Sequence, residues 1–94
     1  MQLGKYVIKY LKKTRDNNLK QMIIDNIYDV IAKNPSIGIQ KSGDLQLLFT
    51  VKFKYAGVQY RIAYDINELN KTVLIILVGK RENFYQILHR LLFH

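Results

Sequence analysis

Five side chains in the second half of this 94-residue sequence have the chemistry to act on a phosphodiester: Lys52, Lys54, Arg61, Arg81 and Tyr85. Cleaving RNA without a metal requires three things. A proton must leave the 2′-hydroxyl, charge on a phosphorane-like transition state must be stabilised, and the leaving oxygen must be protonated. Lys, Arg and Tyr can divide these tasks. A lysine among other cations loses its proton more readily, and a tyrosine beside cations ionises more easily, so either could serve as the base.

The spacing of these residues points to one surface. In "LFTVKFKYAGVQYRIAYD", residues 48–65, apolar and non-core residues alternate with the period of a strand. Leu47, Phe49, Val51, Phe53 and Tyr55 point one way, and Leu48, Thr50, Lys52 and Lys54 the other. In the next segment Val58, Tyr60, Ile62, Tyr64 and Ile66 form the apolar set, opposite Gln59, Arg61, Ala63 and Asp65. Burying both apolar sets fixes the register and brings Arg61 onto the face of Lys52 and Lys54, an expected open sheet surface. A solvated outer face would explain any one of these lysines. Three cations with only Asp65 near them repel one another, however, and that favours an anionic ligand. The following strand ends in "GKRENFY", which adds Lys80, Arg81 and Tyr85 at a strand-to-helix junction, with Gly79 permitting a tight exit or close approach. Taken alone, a tyrosine at the Tyr85 position of an amphipathic helix is more often a half-buried packing residue than a functional one.

The elements that must position this surface are legible around it. Leu19, Met22, Ile23, Ile27, Val30 and Ile31 recur at helical spacing, with N-cap candidates in Arg15–Asn18 and a stop at Asn34–Pro35. Leu3, Tyr6, Val7, Tyr10 and Leu11 fit a short preceding helix, although "YVIKY" would also pass as a strand. Residues 35–45 read as a loop. Strands are expected at Leu47–Tyr55, Val58–Ile66 and Thr72–Val78, joined by "AG" and "NELNK" as an antiparallel meander, and Phe84, Ile87, Leu88 and Leu91 mark a closing helix. The expected architecture is a single α+β domain, with N-terminal helices packed on a small antiparallel sheet and a C-terminal helix.

Composition narrows the function classes. Fifteen Lys and Arg against seven Asp and Glu give a net charge of +8, which suits a polyanionic partner such as nucleic acid, anionic membrane or an acidic protein. The absence of cysteine removes disulfides, thiol nucleophiles and Cys-ligated zinc, and fits an intracellular, cytoplasmic location. His89 and His94 lie near the end with no carboxylate cluster at ligand spacing, and no phosphate-loop or dinucleotide glycine pattern occurs, so neither metal nor cofactor is expected. "TVLIILVG" is too short to cross a bilayer, and the opening segment lacks the features of a signal peptide.

The ordered string "GDLQLLFTVKFKYAGVQYRIAYDINELNKTVLIILVGKRENFY", residues 43–85, together with "NP" closing a helix, resembles the RelE/ParE superfamily of bacterial toxins from type II toxin–antitoxin modules, nearer its RelE-like branch. The resemblance implies a metal-independent, ribosome-dependent endoribonuclease that cuts mRNA in the ribosomal A site and inhibits translation. It further implies that Lys52 and Lys54 contact the RNA and help remove the nucleophile's proton, that Arg61 stabilises the phosphate, that Arg81 lies near the leaving group, and that Tyr85 positions or deprotonates the 2′-hydroxyl. Lys80 joins the RNA-binding set. The implied partners are a cognate antitoxin, covering the basic face or displacing the C-terminal helix, and the ribosome with its mRNA. The family's usual opening strand would be either missing or "YVIKY". Two other readings accompany this one: a ParE-like inhibitor of DNA gyrase, and a non-catalytic basic RNA-binding module.

Overall fold

In the computed structural model, which describes residues 1–40, 48–67, 69 and 71–93, helices pack on both faces of a mixed five-stranded sheet. The elements run β1 (Gln2–Leu3), α1 (Lys5–Lys13), α2 (Asn17–Asp25) continuing into a wide π-helical turn (Asn26–Ile31), a 3-10 turn (Pro35–Ile37), β2 (Ile39–Gln40), β3 (Phe49–Tyr55), β4 (Val58–Asn67), β5 (Thr72–Lys80) and α3 (Phe84–Phe93). Strand order is β1-β5-β4-β3-β2, antiparallel except for β1, which lies parallel to β5. This is the expected α+β architecture with its antiparallel meander. The expected "GDL" turn at residues 43–45, the strand start at Leu47 and the histidine at position 94 lie outside the described residues.

The first thirteen residues form the expected helix, but the opening strand is neither missing nor "YVIKY": it is Gln2–Leu3, ahead of that segment. Gln2 and Leu3 pair with Leu74 and Ile75, and the Gly4 N–H then donates to the Ile75 carbonyl at 2.7 Å. A side chain at Gly4 would put its Cβ 2.8 Å from that carbonyl oxygen, so glycine permits the close approach from which the chain departs into α1. "YVIKY" lies wholly in α1, where Val7 is fully buried and Tyr10 and Leu11 pack beside it at helical spacing. β2 is a second addition. Within the expected loop, Ile39 and Gln40 pair with Thr50 and Phe49.

Asp16 starts α2, accepting the N–H groups of Asn18 and Leu19 at 3.0 and 3.2 Å. The buried residues Leu19, Ile23, Ile27 and Ile31 recur every four positions. Four residues overshoot a 3.6-residue turn, so an uninterrupted α-helix would rotate the last of them away from the sheet. Widening the turn corrects the drift. The Ala32 N–H bonds back five residues to Ile27, and the Asn26 side-chain amide occupies the Met22 carbonyl. Ile23, Ile27 and Ile31 are all fully buried, each contributing on the order of 1.5–3 kcal/mol by removal from water.

The sheet separates two cores. On one face α1 and α2 cover Tyr60, Ile62, Tyr64, Val73, Ile75 and Val78. Tyr64 ties this layer to the loop before β2, because its hydroxyl donates to the Pro35 carbonyl and accepts the Gly38 N–H. On the other face α3 places Phe84 and Leu88 over Leu48, Ala63 and Leu77. The cationic face is therefore not open along its whole length, as the alternation alone suggested. The helix covers one end, and the cations occupy the other.

Candidate functional site

β3 and β4 pair in the register that buries both apolar sets, and in that register Lys52 lies directly opposite Arg61. Across the next ladder Arg61 faces Gly79, so no side chain of β5 stands beside it on that face. The space is used by Tyr85. At the start of α3 this residue lies with its ring centroid 5.4 Å from the Arg61 guanidinium carbon, and edge-on to Phe84. A guanidinium at this separation from a phenol ring is held by cation–π attraction as well as by packing. Arg61 is thereby fixed in direction while Lys52, beside it, remains exposed. The buried Nε of Arg61 has no hydrogen-bond partner among the described residues. A buried donor without an acceptor costs about 1–3 kcal/mol.

One step along the strands the next row is Lys54 opposite Gln59, extended by Arg81, whose N–H donates to the Gln59 carbonyl at 2.9 Å. This bond carries the β4–β5 ladder one residue past β5. The Arg81 carbonyl then accepts the Phe84 N–H at 3.3 Å, so the backbone of Arg81 is held from both sides at the turn into α3. Asn83, in left-handed backbone at φ 62°, makes the turn, and its carbonyl accepts the Ile87 N–H in the first turn of the helix. An open groove of about 480 Å³ results, lined by Lys54, Gly57, Val58, Gln59, Lys80, Arg81 and Glu82.

All five side chains singled out for chemistry thus gather at one end of one sheet face: Lys52, Arg61 and Tyr85 in one row, Lys54 and Arg81 in the next. Lys80 differs from them. It pairs with Tyr60 and so springs from the opposite face, reaching the groove only because the sheet ends there. Tyr85 packs against the α3 core and also lies over Arg61. Gly79 is not demanded by crowding: an added Cβ would meet Phe84 at an ordinary 3.5 Å. Its effect is to leave Arg61 a clear path to Tyr85.

Gln59, placed on the face of Arg61 by the strand period, lines the groove as well, although the residue pattern assigned it no role. One groove residue escaped the sequence reasoning. Glu82 places a carboxylate among the cations, in a turn whose geometry no strand or helix period encodes. Among the described residues no three His, Asp or Glu side chains cluster closely enough to hold a metal ion.

Comparison with known proteins identifies the family and the fold. Residues 2–89 match the family model of the ParE-like toxin of type II bacterial toxin–antitoxin systems. The chain belongs to that family. Its fold is shared with the toxin RelE of Escherichia coli, in the structure of a double mutant in the free state: TM-score 0.71 and 18% identity, covering 97% of this chain and 95% of that one. It is shared also with a chain of the RelBE toxin–antitoxin complex of Mycobacterium tuberculosis, at TM-score 0.71 and 19% identity, over 84% of this chain and 93% of that one. The intact E. coli RelBE complex gives TM-score 0.67 and 20% identity, over 86% and 94%. No functionally curated protein matches the sequence. The protein is accordingly a toxin of a type II toxin–antitoxin system, built on the RelE fold. Among the described residues no helix is long and apolar enough to cross a membrane.

Proposed function

We propose that this toxin is a metal-independent endoribonuclease that cuts mRNA in the ribosomal A site and so stops translation. The observation that carries the reading is the row Lys52–Arg61–Tyr85, with Arg61 held against the Tyr85 ring. In the proposed reaction the 2′-oxygen attacks the adjacent phosphorus. The bond from phosphorus to that oxygen forms as the bond to the 5′-oxygen breaks, leaving a 2′,3′-cyclic phosphate and a 5′-oxyanion that takes a proton from water to become the 5′-hydroxyl. Lys52 and Lys54 contact the RNA backbone and assist removal of the 2′ proton, and Tyr85 positions that hydroxyl or accepts the proton. Arg61 stabilises the phosphorane-like charge. Arg81, with Lys80 beside the groove, holds the strand on the leaving-group side.

The cations also suit the phosphates of ribosomal RNA and mRNA, which would make binding steeply salt-dependent. A cognate antitoxin is the proposed protein partner, since relatives of the same fold were solved as RelBE complexes. Its acidic or amphipathic segment would cover the basic face or displace α3.

Primer extension on mRNA from cells briefly expressing wild type or Arg81→Ala, with initiation running or blocked, tests the reading. Cuts within codons that need both wild-type protein and translation support it. Growth arrest with intact messages would instead support inhibition of DNA gyrase, the second reading attached to a ParE-like family. Intact messages without arrest would leave a non-catalytic basic RNA-binding module.

A further inference from the structure

α1 carries a second cationic surface, on the side of the sheet away from the candidate site. Lys5, Lys9 and Lys12 lie four and then three residues apart, with Lys13 one turn beyond Lys9, and all four are exposed. Their direction is fixed by what α1 buries: Val7, Tyr10 and Leu11 face the sheet, so the lysines form the ridge pointing directly away from it. Residues 1–15 contain no acidic side chain. Four cations on successive turns repel one another, a cost that packing does not explain because none of them touches the core. The candidate site lies beyond the sheet, on the face carrying α3, so one single strand seated there cannot also neutralise this ridge.

We infer that the α1 ridge is a docking surface for the phosphate backbone of structured, double-helical RNA, separate from the strand held at the Lys52–Arg61 face. The composition of the ridge selects this occupant. A protein partner would be expected to meet an aromatic or aliphatic anchor at the centre of its interface, where lysine is depleted, and here the centre is lysine throughout. A bilayer would engage the apolar stripe of an amphipathic helix, but that stripe is spent on the core. The exposed Tyr6 and Ile8 stand only on the two shoulders of the ridge. Lysines are flexible point charges that make backbone contacts without reading sequence, as an A-form duplex recognised by its phosphates and 2′-hydroxyls requires. Lys5 also lies 5.3 Å from the Tyr6 ring, which keeps an aromatic surface beside the first cation.

The test uses the full chain and a fluorescein-labelled RNA hairpin, with anisotropy read across a salt series. Replacing Lys5, Lys9, Lys12 and Lys13 together by Gln is expected to weaken hairpin binding at least ~10-fold and to make the salt dependence shallower by about one unit per lysine that contacts phosphate. The matching Lys→Arg set is expected to bind as wild type. Unchanged hairpin affinity in the Gln variant would overturn the inference. So would tighter wild-type binding to phosphatidylserine vesicles or to polyglutamate than to the hairpin. Because the readout is binding, a chain that cuts no message can still pass this test, and failure here leaves the cleavage reading standing.

Discussion

The Arg61 guanidinium and the Tyr85 ring, 5.4 Å apart, join the central strand of the sheet to the first turn of the C-terminal helix. Each side chain also has a second neighbour. Tyr85 packs on the core under α3 and lies against Arg61, while Arg61 stands opposite Lys52 in the neighbouring strand. Chemistry and packing can therefore be separated by choosing substitutions that remove one and spare the other.

Tyr85→Phe keeps the ring, its packing and its attraction for Arg61. Under the proposed mechanism it is expected to lower single-turnover cleavage on ribosomes by about 10²–10⁴-fold, the usual scale for losing a proton-transfer group. RNA affinity should barely change. Tyr85→Ala should lose stability as well, visible as a lower urea midpoint.

Arg61→Lys preserves charge but replaces a planar fork with a single ammonium that cannot stack in the same way. Cleavage is expected to fall at least ~10-fold, with binding weakened far less. Equal losses in both would mean that Arg61 contributes binding alone.

Asp16 and Tyr55 predict a stability plateau with two flanks. The Tyr55 hydroxyl donates to the Asp16 carboxylate at 2.8 Å, joining the start of α2 to the end of β3. That bond, aided by the Leu19 N–H, holds the Asp16 carboxyl below its usual range. The stabilisation is therefore present above the unfolded carboxyl's pKa and is lost as pH falls through the folded one. The same bond raises the Tyr55 phenol above its ordinary value, so its share is present below the unfolded phenol's pKa and is lost as pH rises through the folded value. Tyr55→Phe should lower urea stability at neutral pH and flatten both flanks in a pH series.

Gly38 is required for space. A Cβ there would stand 2.4 Å from the Tyr64 hydroxyl and 2.9 Å from the Thr50 carbonyl oxygen. Gly38→Ala is expected to cost about 1–3 kcal/mol, and Tyr64→Phe about 1–2 kcal/mol by orphaning the Gly38 N–H, both read from urea unfolding. The double variant should fall short of the sum, because each change disrupts the same bridge.

Much of this was legible from residue order, and the exceptions share a cause. The period-2 alternation of residues 48–65 encodes the β3–β4 register, because a slip of one residue would expose a whole apolar face. The Lys52–Arg61 pairing followed from it. "AG" marked the hairpin, and Ala56 and Gly57 do both adopt left-handed backbone, at φ 51° and 78°. β1 and β2, each of two residues, are too short to carry any period, and they exist because β5 and β3 offer them partners. The covering of half the cationic face by α3 was equally hidden, since a helical stripe shows that a helix is covered but not where on the sheet it lands. The Arg61–Tyr85 contact depends on that landing and on Gly79, and so appears only in the folded chain.

The most direct test of the central claim is single-turnover cleavage of an mRNA on programmed ribosomes, comparing an all-ribose message with one carrying a single 2′-deoxy nucleotide at the cut position. Wild-type protein is expected to cut the first and spare the second, and Tyr85→Phe to cut neither at an appreciable rate. Equal cutting of both messages, or no cutting of the all-ribose message on ribosomes, would contradict the assignment of Lys52, Lys54, Arg61, Arg81 and Tyr85 to attack by the 2′-hydroxyl.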